Sequence, residues 1–348
     1  MESNNINKTN KEKKKLNNKQ QTVVSIAIAI FVLIAIFCTT KPPKTAENVS
    51  PDGYPISRDV FLLDTFCSIT VYEGGGEQAL SDAVDALNSY DDLFNKSKED
   101  SDISRINNRE SDTVSISHDT AVMLKAAVDI CKESGGSLEP AIKPVTDLWD
   151  FKEKKEVPEP ELIEKALSKV KSLEWEIDTD NDTFTAYDSD VQIDIGAFAK
   201  GFVADKIKEV LVKDGVKSAI INLGGNVLCV GARPDNEPFK IAVKEPDKQE
   251  SEYSHIVEAD DISVVTAGIY ERYFEKDGVH YHHIIDPKTG YPVQNGLESV
   301  TVYGSESIIC DALCTVMFVK GEDEGMKFLD SYNKVHDTDY QAVFLRKE

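Results

Sequence analysis

The stretch YHHIIDPKTGYPV, residues 281–293, carries the strongest local signals for the fold of this chain. It predicts a buried strand over residues 282–285 and then a turn that Gly290 closes, because glycine adopts positive φ without strain. Pro287 restricts Asp286 to extended geometry, which disfavours a helix here. A histidine and an aspartate at a rigid strand end indicate a reactive site. The alternative is a plain hairpin corner, and the spacing alone leaves both open.

Three histidines in this region raise the question of a zinc site. Strand geometry places His280 and His282 on one face and His283 on the other, which disfavours a three-histidine site. One functional histidine is therefore the better interpretation of the pattern.

The charge of the chain is strongly asymmetric. Its 348 residues carry a net formal charge of −23, and residues 1–21 hold six lysines against two glutamates, so +4 lies in this leader and −27 in the remainder. An acidic body argues against nucleic acid as a partner, since phosphate binding requires a basic surface. Anionic ligands would have to be met by local cations, helix N-termini or a metal.

Residues 22–38 form an uncharged apolar run of 17 residues directly after the basic leader. This length is at the short limit for a membrane span and long for a cleaved signal core, so we expect a transmembrane anchor. Cys38 leaves a lipoprotein signal as the alternative. The lysines before the run predict that the body lies outside the cytoplasm. Residues 39–55 are a Pro-rich polar linker, and residues 56–348 form the remaining domain.

The body predicts an α+β fold with a mixed, largely antiparallel sheet and helices packed on it. Strands and helices alternate irregularly with many hairpins, which is not the pattern of a doubly wound sheet. One strand is predicted over residues 61–72 and another ends at Ile195. Residues 96–108 are predicted as a polar loop. Residues 137–151 are predicted as a packed loop, because the two prolines of that segment disfavour regular structure.

The motif DIGAFAKG, residues 194–201, predicts a strand, a turn and a helix start. Gly196 would let a ligand approach the backbone closely, and a helix N-terminus offers free N–H groups with partial positive charge. Lys200 adds a full charge one turn into the helix. These features indicate a phosphate-binding turn, although the spacing is not that of a Walker loop. An ordinary strand–helix turn is the alternative.

The motif CDALCT places Asp311 and Thr315 four residues apart, on one face of a predicted helix. A carboxylate and a hydroxyl suit Mg²⁺, whose remaining ligands are commonly water and substrate phosphates. The alternative is an aspartate interacting with the helix dipole and a threonine that faces its own backbone. A further Gly-Gly-Asn sequence at residues 224–226 is a weaker signal, for which a tight turn is the simpler interpretation.

Together these motifs resemble the ApbE family, the Mg²⁺-dependent FAD:protein FMN transferases. The resemblance is collinear and extends from about Phe61 to the end of the chain. It covers LDT, SDISRIN, the EP…KP…LW segment, DIGAFAKG, LGGN, TAG-Y-R, HHIIDPKTGYP and CDALCT. The length of the HIIDPKTGYP string and the order of the motifs make the resemblance specific.

The resemblance implies an activity and a set of site residues. A Thr or Ser hydroxyl of a target flavoprotein would attack the FMN-side phosphorus of FAD, and AMP would leave. His283 matches the catalytic histidine and would be the general base. Mg²⁺ would be held by Asp311, Thr315 and the carbonyl of Ala197. The positions that match flavin-nucleotide contacts are Leu63, Glu139, Asp194, Lys200 and Ile285.

Three positions depart from the family pattern. Leu63 stands where methionine is frequent, Ser97 where an aromatic ring is frequent, and Glu139 where aspartate is frequent. With the predicted anchor, the resemblance implies a domain on the extracytoplasmic side of a bacterial cell membrane. Its acceptor would be a subunit of a membrane redox complex or an extracellular reductase. Two alternatives remain open: an FAD pyrophosphatase giving FMN and AMP, and a non-catalytic flavin-binding lipoprotein.

Overall fold

The computed structural model of this chain describes residues 53–171, 173–244 and 253–347. The predicted leader, the predicted anchor at residues 22–38 and most of the predicted linker lie outside these ranges. Within them, no helix is long and apolar enough to cross a membrane.

Most of the described strands join one large sheet. The strands are β1 Ile56–Leu62, β2 Thr65–Gly74, β3 Thr113–Ser115, β4 Glu176–Asp178, β5 Thr183–Thr185, β6 Val216–Leu223, β7 Asn226–Val230, β8 Phe239–Lys244, β9 Tyr253–Ala259, β10 Ser263–Gly268, β11 Tyr273–Lys276, β12 Val279–His282, β13 Leu297–Gly304 and β14 Gln341–Arg346. The large sheet has seven strands in the order β1-β2-β6-β7-β10-β13-β14. All of its described pairings are antiparallel, so the predicted α+β class is confirmed, but the sheet is antiparallel rather than mixed.

Helices cover one face of this sheet. The described helices are α1 Gly76–Phe94, α2 Asp102–Asn107, α3 His118–Ser134, α4 Lys143–Trp149, α5 Pro160–Leu167, α6 Ala199–Lys213, α7 Ser307–Lys320 and α8 Glu322–His336, with a 3₁₀ turn at Pro140–Ile142. Alternate residues of β2 point into the core against α1 and α6, as the two-residue period of a strand requires. The largest core cluster lies between the helices and this face.

The opposite face of the sheet is covered at one end by the β8–β9 hairpin. Phe239 of β8 packs on Tyr72 of β2 with ring centroids 5.3 Å apart, and Cys229 and Val264 are buried beneath the hairpin. The other end of this face, at the β1–β2 turn, carries exposed aromatic rings.

Helices α6 and α7 approach each other closely at Gly201. A Cβ atom there would lie 2.3 Å from the carbonyl oxygen of Ser307, so a larger residue would push the helices apart. Asp205 of α6 accepts hydrogen bonds from the backbone N–H groups of Ser307 and Ile308, each at 2.9 Å. These contacts fix the start of α7 against α6 and thereby fix the position of Asp311, one turn further along α7.

The predicted single strand over residues 61–72 is wrong: the segment contains the end of β1, a turn and most of β2. Leu63 and Asp64 both have positive φ, 53° and 61°, which is the conformation of a type I′ hairpin turn. Such turns favour Gly, Asn and Asp, so Asp64 suits the turn but Leu63 does not. The Leu63 N–H donates to the Asp91 carboxylate at 2.9 Å, so a contact with α1 helps to hold a turn that local sequence does not favour.

Two segments predicted as loops contain helices. In residues 137–151, Pro140 begins the 3₁₀ turn and Pro144 lies in the first turn of α4, where a missing N–H has no cost. In residues 96–108, α2 begins after Ser101, whose side chain accepts a hydrogen bond from the Ser104 N–H. Proline and polar residues mark helix starts here rather than the absence of helix.

The predicted strand that ends at Ile195 is also wrong. This segment belongs to none of the described strands, and the Asn107 side chain makes the backbone hydrogen bonds that a neighbouring strand would make. Its amide donates to the Ile193 carbonyl at 2.9 Å and its oxygen accepts from the Ile193 N–H at 2.6 Å.

Candidate active site

The 281–293 stretch forms a short strand followed by a tight turn. The strand, β12, ends at His282, so the predicted strand over residues 282–285 is wrong, although Ile285 still forms an isolated bridge with Pro292. The predicted turn is present, since Gly290 has φ 73° and its N–H donates to the Asp286 carbonyl at 2.8 Å. The Asp286 side chain accepts from the Lys288 N–H at 2.9 Å, so this carboxylate stabilises the turn.

His282 has a structural role. It is buried, and Nε2 lies 2.8 Å from the Val293 carbonyl while Nδ1 accepts from the Ile284 N–H at 3.3 Å. A neutral ring that is protonated on Nε2 satisfies both contacts. Burial lowers the pKa of His282 from 6.5 to about 4, because a charged ring would be poorly solvated there.

The neutral His282 predicts a loss of stability in acid. The unfolded chain takes up this proton near pH 6.5 and the folded chain only near pH 4, so the free energy of unfolding should fall as pH drops between these values. The difference between the two pKa values corresponds to about 3 kcal/mol of unfolding free energy. Urea unfolding at pH 7 and pH 4.5 measures the effect.

The matched variant for this test is His282→Gln, which keeps a polar side chain but does not titrate. Asp205 acts in the opposite direction, because burial raises its pKa to about 6 and stabilises the folded state as pH falls. The free energy of unfolding of wild type is therefore compared with that of His282→Gln at each pH. An equal acid loss in both would contradict the role given to His282.

A cavity of about 580 Å³ opens beside this turn and lies within the size range of small-molecule sites. It brings together all nine residues that the sequence indicated, from five separate regions of the chain. They are Leu63, Glu139, Asp194, Ala197, Lys200, His283, Ile285, Asp311 and Thr315. Their placement in one cavity is a structural result, whereas the individual role of each residue stays a prediction.

His283 reaches the cavity directly after β12. Its side chain is 30% exposed, and Nε2 lies 4.0 Å from the Glu271 carboxylate. Nδ1 is buried and has no hydrogen-bond partner among the described residues. Burial lowers the pKa of His283 to about 3, and the nearby Arg272 guanidinium acts in the same direction. The ring is therefore neutral at pH 7 and can accept a proton.

The DIGAFAKG motif forms a loop that leads into α6. Asp194 stabilises it, because one carboxylate oxygen accepts from the Gly196 N–H and the other from the Thr146 hydroxyl, both at 2.8 Å. Helix α6 begins at Ala199, so Lys200 lies in its first turn and faces the cavity. The helix start and Lys200 together supply positive charge to this wall.

The Asp311–Thr315 pair lies on α7 across from this loop. Asp311 is buried, and its Oδ2 accepts from the Gly201 N–H of α6 at 2.9 Å, which joins the two motifs. The Oδ1 atom of Asp311 accepts no hydrogen bond from the described residues. Among the same residues, the Thr315 hydroxyl makes no hydrogen bond to the backbone of its own helix. Both oxygens are thus available for a ligand, against the alternative of a threonine that faces its own backbone.

The remaining predicted contacts form the far walls of the cavity. Leu63 lies at the β1–β2 turn, and buried Glu139 accepts from the Ala141 N–H at 2.9 Å, which fixes its carboxylate at the 3₁₀ turn. Ser97 is exposed and does not line the cavity. An aromatic wall is supplied instead by Phe151, whose ring is stacked on Trp149 with centroids 5.6 Å apart.

Several lining residues were missed from the sequence. Glu271 and Arg272 lie in the segment of the TAG-Y-R motif, but nothing in its pattern indicated a charged pair beside His283. Burial raises the pKa of Glu271. Thr146 lies in the segment that was taken for a loop, and its contact with Asp194 spans 48 positions. Asn226 ends the tight β6–β7 turn that the sequence favoured, and it also lines the cavity.

The cavity lining carries a net negative charge. Its basic side chains are Lys96, Lys143, Lys152, Lys200 and Arg272, and its acidic ones are Asp64, Asp91, Glu139, Asp147, Asp150, Asp194, Glu271 and Asp311. Eight acids against five bases leave a formal charge of −3. An anionic ligand in this cavity would therefore need a cation in addition to the side chains present.

Solved structures with this architecture include a flavin transferase. The flavin transferase ApbE from Vibrio cholerae superposes with a TM-score of 0.73 at 25% identity, covering 84% of this chain and 97% of its own. The apbe protein from Thermotoga maritima superposes with a TM-score of 0.75 at 26% identity, covering 85% and 97%. The fold and the cavity define an enzyme of the transferase class.

Sequence comparison gives the family. The ApbE family model matches residues 63–340. The FAD:protein FMN transferase of Treponema pallidum is 30% identical over 295 residues, 79% of this chain and 82% of its own length. That of Haemophilus influenzae is 32% identical over 244 residues, 68% and 70%. The chain belongs to the ApbE family.

Proposed function

We propose that this enzyme transfers the FMN part of FAD to a Thr or Ser hydroxyl of a target flavoprotein, releases AMP, and requires Mg²⁺. One observation carries the proposal: a single cavity gathers His283, the positively charged start of α6 and the Asp311–Thr315 oxygens. The relatives named FAD:protein FMN transferase support the same activity.

The chemistry of the cavity fits a hard divalent cation. Within the described ranges, no cluster of three or more His, Cys, Asp or Glu side chains could hold a metal alone. Asp311, Thr315 and the Ala197 carbonyl offer oxygen ligands, and Mg²⁺ commonly completes such a set with substrate phosphate. The negative lining also calls for a cation when a pyrophosphate enters. Bound there, Mg²⁺ would neutralise the pyrophosphate charge and stabilise AMP as leaving group.

The residues of this chain have distinct tasks in the transfer. The oxygen of the acceptor hydroxyl bonds to the FMN-side phosphorus. As this bond forms, the neutral ring of His283 accepts the proton of that hydroxyl. The bond from that phosphorus to the oxygen of the AMP phosphate breaks, and the electron pair leaves with AMP. Lys200 and the start of α6 bind the phosphates and hold them in line with the hydroxyl.

Mass spectrometry tests the proposal directly. The full chain is incubated with FAD, Mg²⁺ and a recombinant flavoprotein subunit of a membrane redox complex that holds its acceptor threonine. We expect the subunit to gain the mass of one FMN less one water, because the flavin phosphate replaces the hydroxyl proton. We expect EDTA to prevent the gain and excess Mg²⁺ to restore it.

The control is the same subunit with its acceptor threonine replaced by valine, which should gain no mass. Free FMN and AMP released without any acceptor would instead favour the FAD pyrophosphatase. FAD binding without turnover on genuine acceptors would favour a non-catalytic flavin-binding protein, and either result would reject the transferase.

We also propose that residues 22–38 anchor the enzyme in a bacterial cell membrane with the domain on the extracytoplasmic side. The uncharged run after a lysine-rich leader supports this orientation. Protease added to intact spheroplasts should degrade the domain, and complete protection would reject the orientation.

A further inference from the structure

Two phenylalanines form an exposed pair on the β1–β2 hairpin. Phe61 and Phe66 occupy paired positions of the two strands, and their rings meet edge to face with centroids 5.2 Å apart. Their exposed fractions are 61% and 77%, the latter among the highest of the large apolar residues in the described chain. Two adjacent exposed rings are a typical anchor of a protein interface, since aromatic residues dominate interface energetics.

The pair lies beside the cavity. Leu63 and Asp64 form the turn between the two rings and Thr65 begins β2. All three line the cavity, whereas neither phenylalanine does. The rings are therefore at most two residues from the cavity wall but outside the space that a nucleotide would fill. A macromolecule whose hydroxyl enters the cavity meets the surface around it, and this hairpin contributes to that surface.

Another aromatic ring on the same face of the sheet is covered by a hairpin. At the far end of β2, Tyr72 packs under Phe239 of the β8–β9 hairpin. At the near end, no described element covers Phe61 or Phe66. Nearby outward positions are polar, since Ser57 and Thr70 share a hydrogen bond at 3.0 Å on this face. The apolar surface is thus confined to the end next to the cavity.

We propose that Phe61 and Phe66 form the docking surface for the acceptor flavoprotein, which places apolar side chains near its acceptor hydroxyl against these rings. The inference rests on the proposed transfer to a protein acceptor. A small ligand held in the cavity does not contact the pair, since neither ring lines the cavity. Docking at the hairpin positions the hydroxyl over the cavity, while FAD binding depends on other residues.

The test is the double variant Phe61→Ser/Phe66→Ser in the full chain, with the recombinant flavoprotein subunit as acceptor. We expect kcat/KM for the subunit to fall at least about tenfold, as for loss of an aromatic anchor. The Kd for FAD, measured by flavin fluorescence, and the Tm should stay at wild-type values. Phe61→Tyr/Phe66→Tyr keeps the rings and should retain most of the transfer.

A matched control removes two exposed apolar residues that do not line the cavity. Tyr187 and Val335 are 78% and 72% exposed, and Tyr187→Ser/Val335→Ser should transfer FMN like wild type. If wild type transfers FMN and the phenylalanine variant does so equally well, the docking surface is rejected and the proposed function stands. The docking surface would also be rejected if the phenylalanine variant changed the FAD affinity. The same holds if its sedimentation showed that the pair joins two copies of the chain. If wild type transfers nothing, the proposed function fails first.

Discussion

Replacing His283 with alanine should lower the rate of FMN transfer about 10²–10⁴-fold, the usual contribution of a positioned general base. The expectation follows from the position of the ring in the cavity wall and from its neutral state at pH 7, in which it can accept a proton. The hydroxyl of threonine or serine is a weak nucleophile until its proton is accepted. Because the phosphates would be held by other groups, the Kd for FAD should change little.

Single-turnover transfer to the flavoprotein subunit, followed by mass spectrometry, measures this loss. His336→Ala is the matched control, since this histidine lies on the surface of α8 and pairs with Glu133 at 2.9 Å. Added imidazole should restore part of the activity of the His283 variant and none in a variant that is simply misfolded. Wild-type transfer by His283→Ala would remove the histidine from the mechanism.

Local sequence predicts those parts of the fold in which local chemistry decides the conformation. The turn at Asp286–Gly290 follows from proline, glycine and an aspartate that bonds its own backbone, and all three act within five residues. The amphipathic helix α1 follows from its apolar spacing. In both cases local signals were enough to predict the element, although the Trp149 indole also donates to the Gly290 carbonyl at 2.7 Å.

Two of the errors arose where a distant contact decides the backbone. The hairpin turn at Leu63 is stabilised by Asp91, 28 positions away, and the segment at Ile193 is held by Asn107, 86 positions away. The candidate active site also depends on a contact between residues that are far apart in the sequence. The Gly201 N–H and the Asp311 carboxylate meet across 110 positions, and no spacing in the sequence indicates this hydrogen bond. Motif patterns and the resemblance to the family together indicated the nine residues, and only the fold shows that they share a cavity.

The second large effect is expected from Asp311→Asn, which removes a charge and keeps an oxygen for the Gly201 N–H. The Tm should therefore change little, whereas the proposed cation loses the one carboxylate in its ligand set. We expect transfer to fall about 10²–10³-fold, since metal stabilisation of a phosphoryl-transfer transition state is worth several kcal/mol.

Titration with FAD separates this explanation from a structural one. Mg²⁺ should tighten FAD binding to wild type, because it offsets the −3 charge of the lining, and should have little effect on Asp311→Asn. Without Mg²⁺, the variant should bind FAD at least as well as wild type, since it has lost one negative charge that repels the pyrophosphate. Asp330→Asn, on the exposed face of α8, is the control and should behave as wild type in both titrations. An undiminished Mg²⁺ effect in Asp311→Asn would place the cation elsewhere.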